Sequence, residues 1–281
     1  MRTTTSDSPR PPIGVRGVLA TFSFAMFFGL AALVSLVALA TGAPGRSRGA
    51  RRRFTVRLNR GFRLFLGFLE DVRLIDIGPI GTPAGLSEQP YLLVSNHPTL
   101  LDAPILLAAL PRLVSLVKAS WYRSLALGPL LRRCVHVPGP GMPGDDHGGT
   151  PVVDRLEDAL RRGAPVLAFP EGTRSPPGRL RRFRRGALEA ALRAEVPIVP
   201  LFIGVDPPVL TKGQAPWRFA TRTAQYRFEW LPPVPDDVRV AGSRAVARHL
   251  AECFGARLDA HHVSVARCEA QRAAPLEAEL T

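Results

Sequence analysis

The chain has 281 residues, 46% of them hydrophobic and 21% charged, which is enough to bury a core over about one to two domains and excludes global disorder. A formal net charge of +14 implies anionic company: nucleic acid, acidic lipid head groups or a phosphorylated substrate. Lys118 and Lys212 are the only lysines among 37 basic residues, so arginine carries the charge and much of it reads as compositional bias.

Residues 1–16 read as a flexible N-terminus. No charge falls between Arg16 and Arg46, and the apolar run over residues 17–43 exceeds the ~20 residues that a helix needs to cross a bilayer. It predicts one membrane helix, and with no second run of that kind a polytopic membrane protein is excluded. A cleaved secretory signal is the competing reading, and the length of the run argues against it. Arg2, Arg10 and Arg16 precede the run, whereas eight arginines follow it between residues 46 and 63. The positive-inside rule then puts the rest of the chain on the cytoplasmic face of the cell membrane.

Residues 44–70 predict a basic amphipathic linker helix. Phe54, Leu58, Phe62, Phe65, Leu66 and Leu69 recur three and four apart, with Arg57, Arg60 and Arg63 largely off that stripe. The pattern suits a helix lying among head groups with its cations toward acidic lipid, and equally a helix packed on the domain.

Over residues 71–265 short apolar runs alternate with helical segments. YLLVS (91–95), LVSLV (113–117), CVHV (134–137), PVLAF (165–169) and PIVPLFIG (197–204) read as buried strands. Helices are predicted near 101–110, 119–132, 151–162 and 184–194, the third opening at Thr150-Pro151 and closing at Gly163. The alternation predicts an α/β fold, a mostly parallel sheet flanked by helices, preceded by the membrane helix and the amphipathic interfacial helix. The Gly/Pro-rich segment 138–149 predicts a loop. A polar strand AQYRFEW (224–230) and a helix near 241–257 complete the domain, and residues 266–281 read as a flexible tail.

Two strand ends carry chemistry. YLLVS runs into Asn96-His97-Pro98-Thr99-Leu100-Leu101-Asp102, placing a His and an Asp at the carboxyl edge of a sheet, where α/β folds bind ligands. With His97 in the loop and Asp102 on the next helix, the carboxylate can turn back to the imidazole, fix its tautomer and stabilise the imidazolium as the other nitrogen takes a proton. PVLAF runs into Pro170-Glu171-Gly172-Thr173-Arg174-Ser175. There a glycine beside Thr and Arg frees backbone N–H groups, a hydroxyl and a guanidinium to hold phosphate oxygens. The following arginines, from Arg179 to Arg185, read mostly as a solvated basic face.

Together the two motifs resemble the glycerolipid acyltransferase family over roughly residues 90–205. NHPTLLD is similar to its first block, FPEGTRS to its third, VPIVPL (196–201) to its fourth, and GRLRRFRRGA (178–187) to the segment after the third. The resemblance implies that His97 is the general base and Asp102 its partner. It further implies that Glu171, Gly172, Thr173 and Arg174 hold the polar head of the acceptor, with Lys118 as a further phosphate contact. The implied reaction moves a fatty acyl group from acyl-CoA or acyl carrier protein to the free hydroxyl of a lyso-lipid, with 1-acyl-sn-glycerol-3-phosphate the first candidate, at a membrane containing acidic lipids and with no cofactor. Thr99 stands where the family usually has Ser. The family's second block ends in a strand followed by Arg, whereas here Arg132 and Arg133 precede CVHV. That departure keeps open an acceptor without glycerol phosphate, such as an aminoacyl or polyene-linked lyso-lipid.

Other chemistries fit less well. Ser95, Ser175 and Cys134 lack the pattern of a nucleophile elbow. His136, His147, Asp145 and Asp146 show no metal-ligand spacing, and the odd count of cysteines (Cys134, Cys253, Cys268) with no CxxC pair argues against a disulfide framework or a zinc site. A non-catalytic basic membrane adaptor would explain the charge but needs neither His97, Asp102 nor Arg174. No nucleic-acid-binding motif appears.

Overall fold

The structure, a computed structural model, describes residues 14–42, 47–82, 86, 89–142 and 150–273. Two long helices, α1 (Val15–Thr41) and α2 (Arg48–Asp71), lead into a short strand β1 (Ile75–Ile77). Then come β2 (Leu92–Ser95), α3 (Asp102–Ala109), β3 (Val114–Val117), α4 (Ala119–Tyr122), α5 (Gly128–Arg133) and β4 (Val137–Pro138). The second half runs α6 (Thr150–Arg161), β5 (Val166–Ala168), α7 (Gly186–Arg193), β6 (Ile198–Asp206), β7 (Ala224–Trp230), α8 (Asp236–Val240) and α9 (Ser243–Ala273).

The seven strands form one sheet in the order β1-β7-β6-β2-β5-β3-β4. Every neighbouring pair is parallel except β6 with β7. β2 therefore lies in the middle, between β5 and β6, and its side chains alternate between two cores as the pleat requires. Leu93 joins Leu69, Ile105 and Leu106 under α2 and α3. Leu92 and Val94 join Leu156, Leu188, Leu250 and Phe254 under α6, α7 and α9. Central placement sends the loop after β2 to the middle of the sheet edge, with the β5 and β6 loops on either side.

Helix α1 is long and apolar enough to cross a membrane, and it lies along the domain. Gly17, Ala20, Ser23, Phe24, Ser35 and Ala38 are buried. Near its start Arg16 donates through Nε to the Ala220 carbonyl (3.1 Å), and toward its end the Ser35 hydroxyl donates to the Ala126 carbonyl (2.6 Å). Its outer face exposes Val18, Phe22, Met26, Leu30, Leu33 and Val37, one stripe at helical spacing. The amphipathic helix expected over 44–70 is α2, and protein covers its apolar stripe. Phe65, Leu66 and Leu69 are core residues, and Phe62 and Phe65 meet Phe27 of α1 at ring-centroid distances of 5.9 and 4.7 Å. The buried Asn59 amide donates to the carbonyls of Pro111 and Leu113, locking α2 beside the end of α3. The cationic face, with Arg52, Arg53, Arg57 and Arg60, is left outward, and Leu64 is exposed beside it.

Several boundaries differ from expectation. The helix expected over 119–132 is two short ones, α4 and α5, because Pro129 cannot supply the N–H that a continuous helix needs and starts α5 instead. The strand expected at 134–137 pairs only from Val137, since Cys134 ends α5. The tail expected from residue 266 is helical as far as Ala273. Most of the 138–149 loop, with His147, Asp145 and Asp146, lies outside the described residues, as do residues 1–13 and 274–281.

One buried histidine makes stability depend on pH. His136 Nδ1 accepts the Ser115 N–H (3.1 Å), and burial pushes its imidazole down to about 4. The unfolded chain binds this proton near pH ~6.5, so the stabilisation is complete above that pH and is lost as the pH falls toward 4. The full loss is about 3 kcal/mol. Denaturant midpoints at pH 7 and pH 4.5 are expected to differ less in His136→Gln than in the wild-type protein. An equal difference in both would assign the acid sensitivity to other groups.

Candidate active site

The loop after β2 is fixed before it reaches the histidine. Asn96 Nδ2 donates to the Ile203 carbonyl (2.8 Å), and Asn96 Oδ1 accepts the Ile203 N–H (2.7 Å), so a side chain adds a rung between β2 and β6. His97 follows. Its Nδ1–H donates to Asp102 Oδ2 at 2.7 Å, which leaves Nε2 as the acceptor nitrogen. Asp102 opens α3 and its side chain is inaccessible to solvent, whereas His97 keeps 19% exposure. The Asp102 carboxylate also accepts the Thr99 N–H (2.8 Å) and the Thr99 hydroxyl. A buried carboxylate that accepts three hydrogen bonds is held in one orientation.

The loop after β5 grips the histidine from outside. Phe169 stacks on the imidazole with centroids 4.1 Å apart and planes 15° apart. The Glu171 carboxylate accepts the His97 backbone N–H (3.1 Å), and the Ser175 N–H donates to the His97 carbonyl (2.7 Å). Glu171 also accepts the Ser175 hydroxyl (2.6 Å) and the Arg181 N–H (2.7 Å). It is buried, so the carboxylate expected beside an acceptor head group is turned inward and ties the two loops together.

The neighbouring residues of that motif face outward. Gly172 is exposed at φ +69°, a conformation that favours glycine, and a Cβ there would meet Arg184 Nε at 2.9 Å. The hydroxyl of Thr173 makes no hydrogen bond among the described residues. Arg174 donates through Nη1 to the carbonyls of Leu210 (2.7 Å) and Thr211 (3.0 Å), so it braces the β6–β7 connection, while Nε and Nη2 have no hydrogen-bond partner among the described residues. Burial pushes its guanidinium pKa down, and the nearby Asp102 charge opposes that shift. Lys118 is exposed at the end of β3, on the same sheet edge as His97 but with β5 between their strands. Arg132 is directed elsewhere, donating to the Tyr122 carbonyl (2.6 Å).

None of the three side chains considered as nucleophiles is well disposed. Ser95 is fully buried, Ser175 donates to Glu171, and burial pushes the Cys134 thiol up to about 11. No cluster of three or more His, Cys, Asp or Glu suited to a metal occurs among the described residues. Sequence reading assigned no role to Asn96, although it opens the first motif. Tyr226, whose hydroxyl reaches Thr99, had no local signal at all, because the two lie 127 positions apart.

Comparison with known proteins bears directly on this site. The family model described as Acyltransferase matches residues 79–204, a span holding both loops and the four strands around them. Over 201 residues the chain is 28% identical to a chloroplast 1-acyl-sn-glycerol-3-phosphate acyltransferase of Brassica napus, covering 70% of this chain and 56% of that protein. Over 153 residues it is 33% identical to 1-acyl-sn-glycerol-3-phosphate acyltransferase alpha of Homo sapiens, covering 53% of this chain and 51% of that one. The chain thus spans about half the length of these relatives. The chain also shares its fold with the crystal structure of a 1-acyl-sn-glycerophosphate acyltransferase from Thermotoga maritima. That match has a TM-score of 0.67 at 19% identity and covers 87% of this chain and 95% of the other.

Proposed function

We propose that this protein transfers a fatty acyl group from a thioester, acyl-CoA or acyl carrier protein, to the free hydroxyl of 1-acyl-sn-glycerol-3-phosphate in phospholipid biosynthesis. The observation that carries the reading is the His97–Asp102 pair at 2.7 Å, set in a domain whose relatives bear that name. Asp102 holds the Nδ1 tautomer, so Nε2 accepts the proton of the acceptor hydroxyl as its oxygen bonds to the thioester carbonyl carbon. Collapse of the tetrahedral intermediate expels the thiolate, which takes the proton back from the imidazolium. The products are an ester and a free thiol, and His97 returns to its neutral state.

The acceptor phosphate is assigned to the outward groups: the Gly172 backbone, the Thr173 hydroxyl, the free edge of Arg174 and, farther along the sheet edge, Lys118. Glu171 positions His97 through its main chain. Arg174→Lys tests the phosphate assignment, because an ammonium can keep the brace to Leu210 but cannot present a second donor edge. Its kcat/KM is expected to fall about 10–150-fold on lysophosphatidate, the worth of a charge-assisted pair, and much less on a lyso-lipid lacking phosphate beside the hydroxyl. Equal losses on the two acceptors would leave Arg174 as a brace only and favour the non-phosphate acceptors.

The membrane reading extends this to α1. Both ends of that helix are tied to one domain, which supports a helix lying in a single leaflet, its outer stripe among lipid tails and the arginines of α2 toward acidic head groups on the cytoplasmic face. Replacing Phe22, Leu30 and Leu33 by Ser is expected to release the protein from vesicles containing acidic lipid at high salt, where the arginines are screened. Unchanged retention of that variant would put the apolar contact elsewhere.

A further inference from the structure

The His97–Asp102 pair does not end at Asp102. The Thr99 hydroxyl donates to Asp102 Oδ1, and the hydroxyl of Tyr226 stands 3.1 Å from Thr99 Oγ1. Tyr226 comes from β7, on the far side of β6 from β2, and is 1% exposed. Proton bookkeeping fixes the direction of each bond. An ionised carboxylate only accepts, so the single Thr99 proton must go to Asp102, and the phenol must then be the donor to Thr99. The Leu101 N–H, 3.2 Å away, donates to the same threonine oxygen.

We propose that Tyr226 and Thr99 are positioning residues for acyl transfer, forming with Asp102 and His97 a one-directional hydrogen-bond chain that anchors the catalytic loop to β7. This rests on His97 acting as the general base. The phenol hydroxyl has no other hydrogen-bond partner among the described residues, although a buried hydroxyl left to itself costs free energy. Burial and the nearby Asp102 charge both push its pKa up, so Tyr226 stays a donor throughout the working pH range. The chain does two things that the first pair alone cannot. It prevents Asp102 from rotating away from Nδ1 when the imidazole becomes charged, and it links the loop after β2 to a strand that supplies no other group to the site.

The test uses the full-length protein, with Tyr226→Phe, Thr99→Val, Thr99→Ser and the double variant Tyr226→Phe with Thr99→Val. Tyr226→Phe is expected to lower kcat about 2–10-fold, the worth of a neutral hydrogen bond, and Thr99→Val about 10–100-fold, the worth of one to a charge, with KM for both substrates unchanged. Thr99→Ser, which keeps the hydroxyl, recovers most of what Thr99→Val loses. The double variant is no slower than Thr99→Val, because the phenol acts only through the threonine. In proton NMR the low-field Nδ1 proton of His97 exchanges faster with water in Tyr226→Phe than in the wild-type protein. Wild-type kcat with an unaltered Nδ1 proton in Tyr226→Phe overturns the proposal, and so does a Tyr226→Phe loss that multiplies onto Thr99→Val. His97→Ala serves as the control: if it stays active the general-base reading itself has failed, whereas its inactivity beside an unaffected Tyr226→Phe removes only the chain.

Discussion

If His97 is the proposed general base, replacing it by alanine is expected to lower acyl transfer by about 10²–10⁴-fold, while the fold and acceptor binding persist. Persistence is expected because the imidazole is partly exposed and the loop is held by other atoms. The Asn96 amide bridges to Ile203, and the His97 main chain is bonded to Glu171 and Ser175. Removing the ring leaves all of these in place. Asp102→Asn should also be severe, since an amide that donates toward Nδ1 favours the wrong tautomer. Single-turnover rates under saturating substrates, with circular dichroism as the check on folding, decide the matter. Near wild-type turnover in His97→Ala would remove the assigned mechanism.

Glu171→Ala is expected to destabilise the protein by about 3–5 kcal/mol. Three donors lose their acceptor together: the His97 N–H, the Ser175 hydroxyl and the Arg181 N–H. An orphaned buried group costs about 1–3 kcal/mol, and the two partly buried N–H groups fall at the low end of that range. Activity should fall as well, through misplacement of the loop rather than loss of a substrate contact. Denaturant unfolding measures the first effect, and kcat against KM for the acceptor separates the second. A variant with wild-type stability and a raised acceptor KM would return Glu171 to the head-group role that its motif implied.

How much of this could be read in the sequence follows from where each signal resides. The central strands were legible because β2, β5 and β6 are covered on both faces, so LLVS, VLA and IVPLFIG are continuous apolar runs. β7 was legible for the opposite reason, as its buried and more exposed positions alternate from Ala224 to Trp230. β1 was missed: three residues between a helix end and a loop carry no period. The long α9 runs past the expected end at 257 because its continuation depends on packing, with His261 and His262 against Gly204 and Gly178.

The site divides in the same way. His97 and Asp102 are five apart, so one short loop brings them together and local pattern suffices. The partners that hold that loop come from Glu171, Ile203 and Tyr226, which only the strand order assembles. Glu171 shows the limit most clearly. Its place in the motif said that it belonged to the site, but which way its carboxylate turned depended on the His97 N–H from a distant loop and on how the chain after it folds back to bring Ser175 and Arg181 close. The stripe on α2 was likewise correct as a pattern and silent on what covers it, since lipid and Phe27 are equally apolar.

Direct transfer between a thioester and a lyso-lipid hydroxyl is tested by counting both products in one reaction. Purified protein is incubated with acyl-CoA or acyl carrier protein and lysophosphatidate, and free thiol and phosphatidate are quantified together, the lipid by mass. One phosphatidate is expected for each thiol released, with no thiol release when the acceptor is omitted. Thiol release without ester formation, or a covalent acyl adduct on the protein when the acceptor is absent, would contradict direct transfer.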